Sequence, residues 1–154
     1  MKPLRMTMEA FGSYASPKTI DFTVPKQNIF LITGETGSGK SMIFDALVFA
    51  LYGEASSEQY KKSGFELQSQ LLDNKQPIVT LEFEHAPGEV YTLIRKGRYV
   101  RNDKKGMPKK ETGSVELIDP DGVSYPDQKE VDRKIVRTDD RRQHLQRACE
   151  HHQG

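Results

Sequence analysis

Several kinds of residue and pattern are scarce in this sequence of 154 residues. It has one cysteine, Cys149, and a single thiol cannot form an intramolecular disulfide, so we expect a reducing compartment. No apolar run approaches the roughly 18 residues of a membrane-spanning helix. Met1 to Ala10 also lacks the apolar core of a signal peptide. These absences predict a cytoplasmic protein with no membrane partner.

A surplus of charge of either sign is absent as well. Lysine and arginine together number 23, and aspartate and glutamate number 22. No overall field therefore attracts nucleic acid, and any contact with DNA must come from a local patch. The sequence shows no Ser-His-Asp arrangement and no paired carboxylates, so nuclease chemistry is not visible in it. Its length allows one modest hydrophobic core and one domain.

The most distinctive stretch combines an apolar run with a glycine-rich segment. Ile29 to Ile32 are uninterrupted apolar residues, which predicts a parallel strand covered on both faces. The segment after it matches the pattern G-x-x-x-x-G-K-S, whose small residues let successive backbone N–H groups surround phosphate oxygens. The residues of this predicted nucleotide-binding loop are Gly34, Glu35, Thr36, Gly37, Ser38, Gly39, Lys40 and Ser41.

Two side chains of this loop have predicted roles. We expect Lys40 to reach the β and γ phosphates of a nucleotide and the hydroxyl of Ser41 to be a ligand of Mg²⁺. Met42 to Leu51 is apolar almost all round, which predicts a buried helix with its positive end towards the nucleotide, and Gly53 is the predicted stop. The alternative of a glycine-rich surface turn is disfavoured, because the motif lies between a predicted buried strand and a predicted buried helix.

The segments on either side are less apolar. Leu4 to Met8 and Thr19 to Val24 alternate in polarity, which predicts a β-hairpin before the loop. After the helix, Glu54 to Gln76 is polar and is interpreted as an irregular connection with a short helix over Phe65 to Leu72. The next segments alternate again and predict an antiparallel meander laid against the loop and helix, in a mixed α/β (α+β) fold. Its predicted strands are Val79 to Glu84, Val90 to Arg95, a strand including Tyr99 and Val100, and Val115 to Ile118.

One segment is strongly basic. Arg95 to Lys110 holds eight basic residues and one acidic residue, Asp103, with Tyr99 among them. A groove that follows DNA phosphates could use such a patch, and its binding would weaken steeply with salt. The interpretation we favour is a solvated hairpin tip.

Four short segments resemble the SbcC family of DNA-repair ATPases, which are relatives of the SMC proteins. They are Gly-Glu-Thr-Gly-Ser-Gly-Lys-Ser at 34–41, Ile-Phe-Asp-Ala-Leu at 43–47, Phe-Ala-Leu-Tyr-Gly at 49–53 and Phe-Gly-Ser-Tyr-Ala at 11–15. Ile-Asp-Phe at 20–22 and the segments Val79 to Glu84 and Tyr91 to Arg95 are similar to the same family. The resemblance covers about residues 1 to 118. It implies the N-terminal part of a P-loop ATPase head of the ABC type, which binds ATP and Mg²⁺.

The resemblance also implies a function and partners. Members of this family are subunits of an ATP-dependent DNA double-strand exonuclease complex in repair and recombination. The implied partners are the nuclease subunit of an SbcCD-like complex, double-stranded DNA ends and a second ATPase head. ATP would bring two heads together, and hydrolysis would gate access of the nuclease to DNA ends.

The chain departs from the family pattern at three places. Gly12 stands where some relatives carry an arginine, which puts a phosphate contact there in doubt. An acidic pair and a Ser-Gly-Gly signature, which lie in a separate C-terminal segment of family members, are absent. Gln153 and Gly154 match a glutamine-glycine pair in letters only, without a strand to position the glutamine as a sensor of Mg²⁺. We therefore predict that this chain alone binds ATP weakly and hydrolyses it slowly or not at all.

The last residues differ in character from the rest. We divide the chain into an N-terminal part of the head, residues 1–126, and a polar helical tail, residues 127–154, expected to be truncated or aberrant. Val131, Ile135 and Val136 are the only apolar face of that predicted helix. A metal site formed by Cys149, His151 and His152 has no second ligand motif, and a solvated tail is the favoured interpretation.

Two other functions are compatible with a phosphate-binding loop. One is a non-functional truncated remnant, which the tail motivates. The other is a small P-loop kinase or GTPase. A GTPase selects guanine through Asn-Lys-x-Asp, and the nearest match, residues 74–77, has Pro77 where the aspartate belongs. A kinase would have an arginine-rich lid after the loop and helix, whereas a sheet is predicted in that place here.

Overall fold

The computed structural model describes residues 1–24, 32–35, 39–53, 67–69 and 71–136. Its strands are β1 (Lys2–Glu9), β2 (Lys18–Asp21), β3 (Ile78–Glu84), β4 (Val90–Lys96), β5 (Tyr99–Asn102), β6 (Pro108–Glu111), β7 (Ser114–Ile118) and β8 (Ser124–Tyr125). Helix α1 is Lys40–Tyr52, and a second helix, α2, covers the described residues 128–136.

Alternating polarity along the strands builds one six-stranded sheet with the order β2-β1-β3-β4-β7-β8, and all its neighbours are antiparallel. The register aligns Met6 with Leu81, Leu81 with Leu93, and Leu93 with Leu117. These four side chains are at most 1% exposed, so they form one apolar row across the sheet. A shift of the strand pairing by one residue would turn these side chains to the other face of the sheet. Their burial on one face therefore fixes the register.

Helix α1 packs on this apolar face, against β3 and β4. Its buried residues are Asp45, Ala46, Phe49 and Ala50. The helix ends at Gly53, which has φ 78° and donates its N–H to the carbonyl of Phe49 at 2.8 Å, so the predicted stop is confirmed. The prediction that Met42 to Leu51 form a buried helix is wrong at Phe44, which is 56% exposed.

The predicted hairpin before the loop is confirmed, although its second strand is shorter than expected. β1 pairs with β2 from Arg5↔Asp21 to Met8↔Lys18. The strand ends at Asp21 because its carboxylate accepts hydrogen bonds from the N–H of Thr23 at 2.8 Å and from its hydroxyl at 2.5 Å. A side chain that binds the backbone two residues on bends the chain out of the sheet.

The predicted meander is wrong in its third step. Tyr99 and Val100 do lie in a strand, but β5 pairs with β6 in a separate two-stranded sheet, and β4 pairs directly with β7. The tight turn between β5 and β6 closes on Asp103, whose carboxylate accepts the N–H groups of Lys105 and Met107 at 2.8 and 2.9 Å. β5 and β6 therefore form a local hairpin that lies, in sequence, between the paired strands β4 and β7.

Two predicted elements fall partly or wholly outside the described residues. Of the predicted parallel strand, Ile29 to Leu31 lie outside them, and Ile32 is not in a strand. Of the short helix predicted over Phe65 to Leu72, Phe65, Glu66 and residue 70 lie outside the described residues, and Leu67 is in a 3₁₀-helical conformation. The prediction is wrong beyond Leu67, because Gln68 makes a β-bridge with Phe11 and residues 71–74 form turns and a bend.

Helix α2 closes one side of the core. Val131 is 0% exposed and Ile135 is 5% exposed, whereas Val136 is 57% exposed. The first two lie four residues apart on one helix face, and Val136 is turned by about 100° from Ile135. The predicted apolar face is thus correct for Val131 and Ile135 and wrong for Val136. Neither helix, as far as it is described, is long and apolar enough to cross a membrane.

Candidate nucleotide-binding site

The candidate site begins at the N-terminus of α1. Gly39 is the N-cap residue and has a left-handed backbone with φ 88° and ψ 11°, a conformation that glycine adopts without steric cost. No side chain caps this end by a hydrogen bond, and the first turn has no acidic residue. The backbone N–H groups of the first turn therefore have no side-chain acceptor and point outward from the N-terminal end of the helix. The positive end of the helix dipole lies at the same place, and such an arrangement binds anions.

Lys40 folds back over the start of the loop. Its Nζ donates hydrogen bonds to the carbonyl oxygens of Gly34 and of Glu35, the second at 2.8 Å. The ammonium group thus lies against two backbone carbonyls at the start of the predicted loop. Phosphate oxygens are stronger acceptors than carbonyls because they carry charge. An incoming triphosphate can therefore displace the two carbonyls, and the predicted role of Lys40 fits this geometry.

Ser41 lies in the first turn of α1 with an exposed side chain. No cluster of three or more His, Cys, Asp or Glu residues that could hold a metal ion occurs in the described ranges. Mg²⁺ commonly keeps several waters and takes one or two protein ligands together with substrate phosphates. An exposed hydroxyl such as that of Ser41 suits a donor set of this kind, and its predicted role as a Mg²⁺ ligand stays a prediction.

Part of the predicted loop lies outside the described residues. Thr36, Gly37 and Ser38 are among these, so their predicted contacts with phosphate stay predictions. The same holds for the predictions about Cys149, His151 and His152, and about Gln153.

The turn between β1 and β2 packs against this end of α1. Gly12 has φ 54°, and a Cβ atom there would collide with the sulfur of Met42 in α1. Tyr14 donates its hydroxyl hydrogen to the carbonyl of Gly39 at 3.1 Å. The position where some relatives carry an arginine is therefore filled by Met42, and the contact with the loop is made instead by Tyr14, a residue that sequence reasoning did not single out.

Arg95 is a second residue whose place sequence reasoning missed. It belongs to the basic segment by sequence, but it is 5% exposed and lies on the core face of β4. Its guanidinium donates from Nε to the carbonyl of Ala50 at 2.8 Å, from Nη2 to that of Leu51 at 3.3 Å, and from Nη1 to Oε1 of Gln128 at 2.7 Å. Arg95 therefore caps the C-terminal end of α1, opposite the candidate site.

The environment of Arg95 has opposing effects on its charge. Burial lowers the pKa of Arg95, while the nearby carboxylate of Asp132 raises it. A guanidinium nevertheless stays protonated in proteins. The alternation of buried and more exposed residues along β4 could have predicted the burial of Arg95, because Arg95 lies two residues after Leu93, which is buried.

The remainder of the basic segment forms the β5–β6 hairpin. Residues 104–110 are exposed, as the favoured interpretation of a hairpin tip predicts. Glu111 pairs with Arg101 at 2.7 Å and with Lys109 at 3.1 Å, and hydrogen bonds from Lys109 and Arg101 lower the pKa of its carboxyl group. Contact of this hairpin with DNA remains a prediction.

Comparison with known proteins places this geometry in context. The sequence matches the family described as AAA domain over residues 5–154. It is 38% identical over 121 residues to the SbcC subunit of the nuclease SbcCD from Staphylococcus aureus strain MRSA252, and equally so to that of strain JH9. Each alignment covers 77% of this chain and 12% of the relative, so the chain spans only a small share of the length of these relatives.

Proposed function

Because the chain belongs to the AAA domain family, we propose that it is an ATP-binding head segment of an SbcC-like subunit. One observation carries the proposal: the ammonium of Lys40 lies on the carbonyls of Gly34 and Glu35, beside a helix N-terminus that no side chain caps. The relatives named above are nuclease subunits, and their identity to this chain supports assignment to the same kind of complex. The head lobe is then of the ABC type.

Three groups at the start of α1 have distinct roles in this proposal. The first-turn N–H groups of α1 bind phosphate oxygens, and Lys40 neutralises the β and γ phosphates. The hydroxyl of Ser41 would help to hold a Mg²⁺ ion that arrives with ATP, and such an ion would supply positive charge beside the phosphates. These groups bind and polarise the nucleotide but do not activate a water molecule.

Hydrolysis needs further groups. Phosphoryl transfer requires an acidic residue for the metal shell and a group that positions water, yet no described strand after α1 ends in an acidic pair. We propose that residues outside this sequence supply them, in a second head or another segment. The partners in this proposal are a second ATPase head, a nuclease subunit and double-stranded DNA ends.

Thermal unfolding with and without Mg·ATP tests the binding claim. At about 100 times the dissociation constant, a ligand adds about 2.7 kcal/mol to the free energy of unfolding, which raises the melting temperature of a domain of this size by roughly 5–10 °C. Lys40→Ala is expected to abolish this increase. Lys129→Ala is the matched control, because Lys129 is an exposed lysine in the first turn of α2, and it should keep the full increase.

Two results would count against the proposal. One is an equal response to ATP in wild-type protein and the Lys40→Ala variant, which would place the nucleotide elsewhere. The other is a larger increase with Mg·GTP than with Mg·ATP, which would favour a GTPase.

A further inference from the structure

The hydroxyl of Tyr14 makes a contact that neither the core nor the proposed ligand contacts require. It donates a hydrogen bond of 3.1 Å to the carbonyl of Gly39, the last residue before α1. The two residues are 25 positions apart and the bond is partly buried. It joins the turn after β1 to the phosphate loop at the residue that determines where α1 begins.

The turn that carries Tyr14 is held on several sides. Phe11 and Tyr14 exchange backbone hydrogen bonds of 3.0 and 2.9 Å, and the N–H of Gly12 donates to the carbonyl of Leu67 at 2.7 Å. The ring of Phe11 is fully buried and contacts that of Phe49 in α1, with 5.7 Å between the centroids. The hydroxyl therefore extends from a rigid base, and it does not need to be ordered when a ligand binds.

The contact fixes the direction of one peptide group. None of the described peptide bonds is cis, and in a planar trans peptide the C=O and N–H bonds point in opposite directions. With the Gly39 carbonyl directed at Tyr14 and into the first turn, where it also accepts the N–H of Met42 at 3.2 Å, the N–H of Lys40 points out of the helix. That is the side where a phosphate would lie.

Gly39 has no room for a side chain at this point. An added Cβ atom would lie 2.7 Å from the Tyr14 hydroxyl oxygen and 3.3 Å from Oγ of Ser13. Close contact and positive φ thus both require glycine here. The hydrogen bond from Tyr14 and the positive φ of Gly39 both favour the orientation in which the Gly39–Lys40 peptide lies.

We propose that Tyr14 is a positioning residue for the nucleotide phosphates. It acts through the Gly39 carbonyl by holding the Lys40 N–H towards a phosphate oxygen, and it does not touch the ligand. This inference rests on the proposed function, since it concerns the same site. It predicts that loss of the hydroxyl weakens phosphate binding and leaves the fold intact.

The test compares Tyr14→Phe with a matched control, Tyr125→Phe. The Tyr125 hydroxyl is also partly buried and donates to Oδ2 of Asp119 at 3.2 Å, but it lies on β8. Calorimetric titration would give dissociation constants for Mg·ATP and for Mg·tripolyphosphate, and thermal unfolding without ligand would check the fold. We expect Tyr14→Phe to weaken both ligands by the same factor, about three- to tenfold, and Tyr125→Phe to bind both like the wild-type protein.

The possible failures can be told apart. If Tyr14→Phe binds both ligands as tightly as the wild-type protein, or only melts at a lower temperature, the inference is overturned and the proposed function stands. If it loses affinity for ATP but not for tripolyphosphate, the hydroxyl acts on the base or ribose, and the inference is again overturned. If the wild-type chain binds neither ligand, the proposed function fails and the inference fails with it.

Discussion

At the scale of single residues, Arg95 shows how a charged side chain can belong to the core. It faces Val79 and Val115 across the sheet, and its guanidinium replaces the hydrogen-bond donors that the last carbonyls of α1 lack. Burying this charge costs solvation, but three hydrogen bonds and the negative end of the helix dipole offset that cost. The residue therefore ties α1 to β4 and to α2.

Replacing Arg95 should destabilise the fold without touching the nucleotide site. In Arg95→Met the carbonyls of Ala50 and Leu51 lose their buried donor, which costs about 1–3 kcal/mol in the free energy of unfolding. Urea unfolding measures this change. Arg98→Met, at an exposed neighbour on the same segment, is the control and should stay within about 0.5 kcal/mol of the wild-type protein. Equal stability of the two variants would show that the cap contributes nothing.

Sequence reasoning at this scale was correct for the end of α1, because the left-handed residue Gly53 requires no distant partner. The spacing of Gly34, Lys40 and Ser41 is also a local pattern, and what it binds stays a prediction. Sequence reasoning missed Arg95 and Tyr14, since each acts on a residue far along the chain. Only the pairing of β4 and the path of the β1–β2 turn bring them to α1.

At the scale of elements, two hairpin turns use the same device. Asp103 accepts the N–H groups of Lys105 and Met107, and Asp119 accepts those of Asp121 and Val123, all at 2.8–3.0 Å. Hydrogen bonds to the charged form of a carboxyl group favour that form. Backbone N–H donors accordingly lower the pKa of both aspartates.

The lowered pKa of these two aspartates predicts how the free energy of unfolding depends on pH. A carboxyl group whose pKa is lower in the folded state contributes stability that is fully present above its unfolded pKa of about 3.9. That stability is lost as the pH falls from there through the lower folded pKa. Urea unfolding from pH 5 downwards should show this decline for the wild-type protein and a shallower one for the double variant Asp103→Asn and Asp119→Asn. Identical slopes would contradict the assignment.

The side-chain amide of Gln68 is one of the groups that attach the β5–β6 hairpin to the rest of the fold, together with that of Asn74. Gln68 donates to the carbonyl of Val100 at 3.0 Å and accepts its N–H at 2.9 Å, in the manner of a neighbouring strand. In Gln68→Leu, amide hydrogen exchange at Val100 should become faster, because its N–H loses its partner. Exchange at Leu81, in the middle of the large sheet, should not change. Unchanged protection at Val100 would show that the hairpin is held by other contacts.

Alternating polarity predicted most strands but not their order. β1, β3, β4 and β7 each have a clear apolar face, which is a property of the local sequence. That β4 pairs with β7 across an intervening hairpin is a long-range choice. This pairing depends on the tight turn at Asp103 and on the side-chain amide of Gln68. The alternation of polar and apolar residues does not indicate either of them. The exposed face of α1 was missed for a similar reason, since an apolar composition does not tell which side has a neighbour.

At the scale of the whole molecule, the two ends of α1 have separate tasks. Its N-terminus is uncapped and adjoins Lys40 and Tyr14, which suits a phosphate ligand, while Arg95 holds its C-terminus to the sheet. Arg95 thus fixes the C-terminal end of α1 to the sheet, and the backbone N–H groups at its N-terminal end are available to a ligand. In the proposed function, the nucleotide phosphates would meet backbone N–H groups that the start of α1 already presents.

The same arrangement predicts weak catalysis by this chain alone. It has groups suited to phosphate and Mg²⁺, but no acidic pair at a strand end in its described part to support attack by water. Release of inorganic phosphate from Mg·ATP by the purified chain should therefore be slow or undetectable. Robust turnover that disappears in Lys40→Ala would contradict this expectation and would place a complete catalytic site within these 154 residues.

The most direct test of the central claim is a crystal structure of the chain with Mg²⁺ and a non-hydrolysable ATP analogue. We expect the Lys40 ammonium to leave the carbonyls of Gly34 and Glu35 for the β and γ phosphates, with the Ser41 hydroxyl on Mg²⁺. A structure in which the analogue binds elsewhere, or in which Lys40 keeps its two carbonyl partners beside a bound analogue, would contradict that claim.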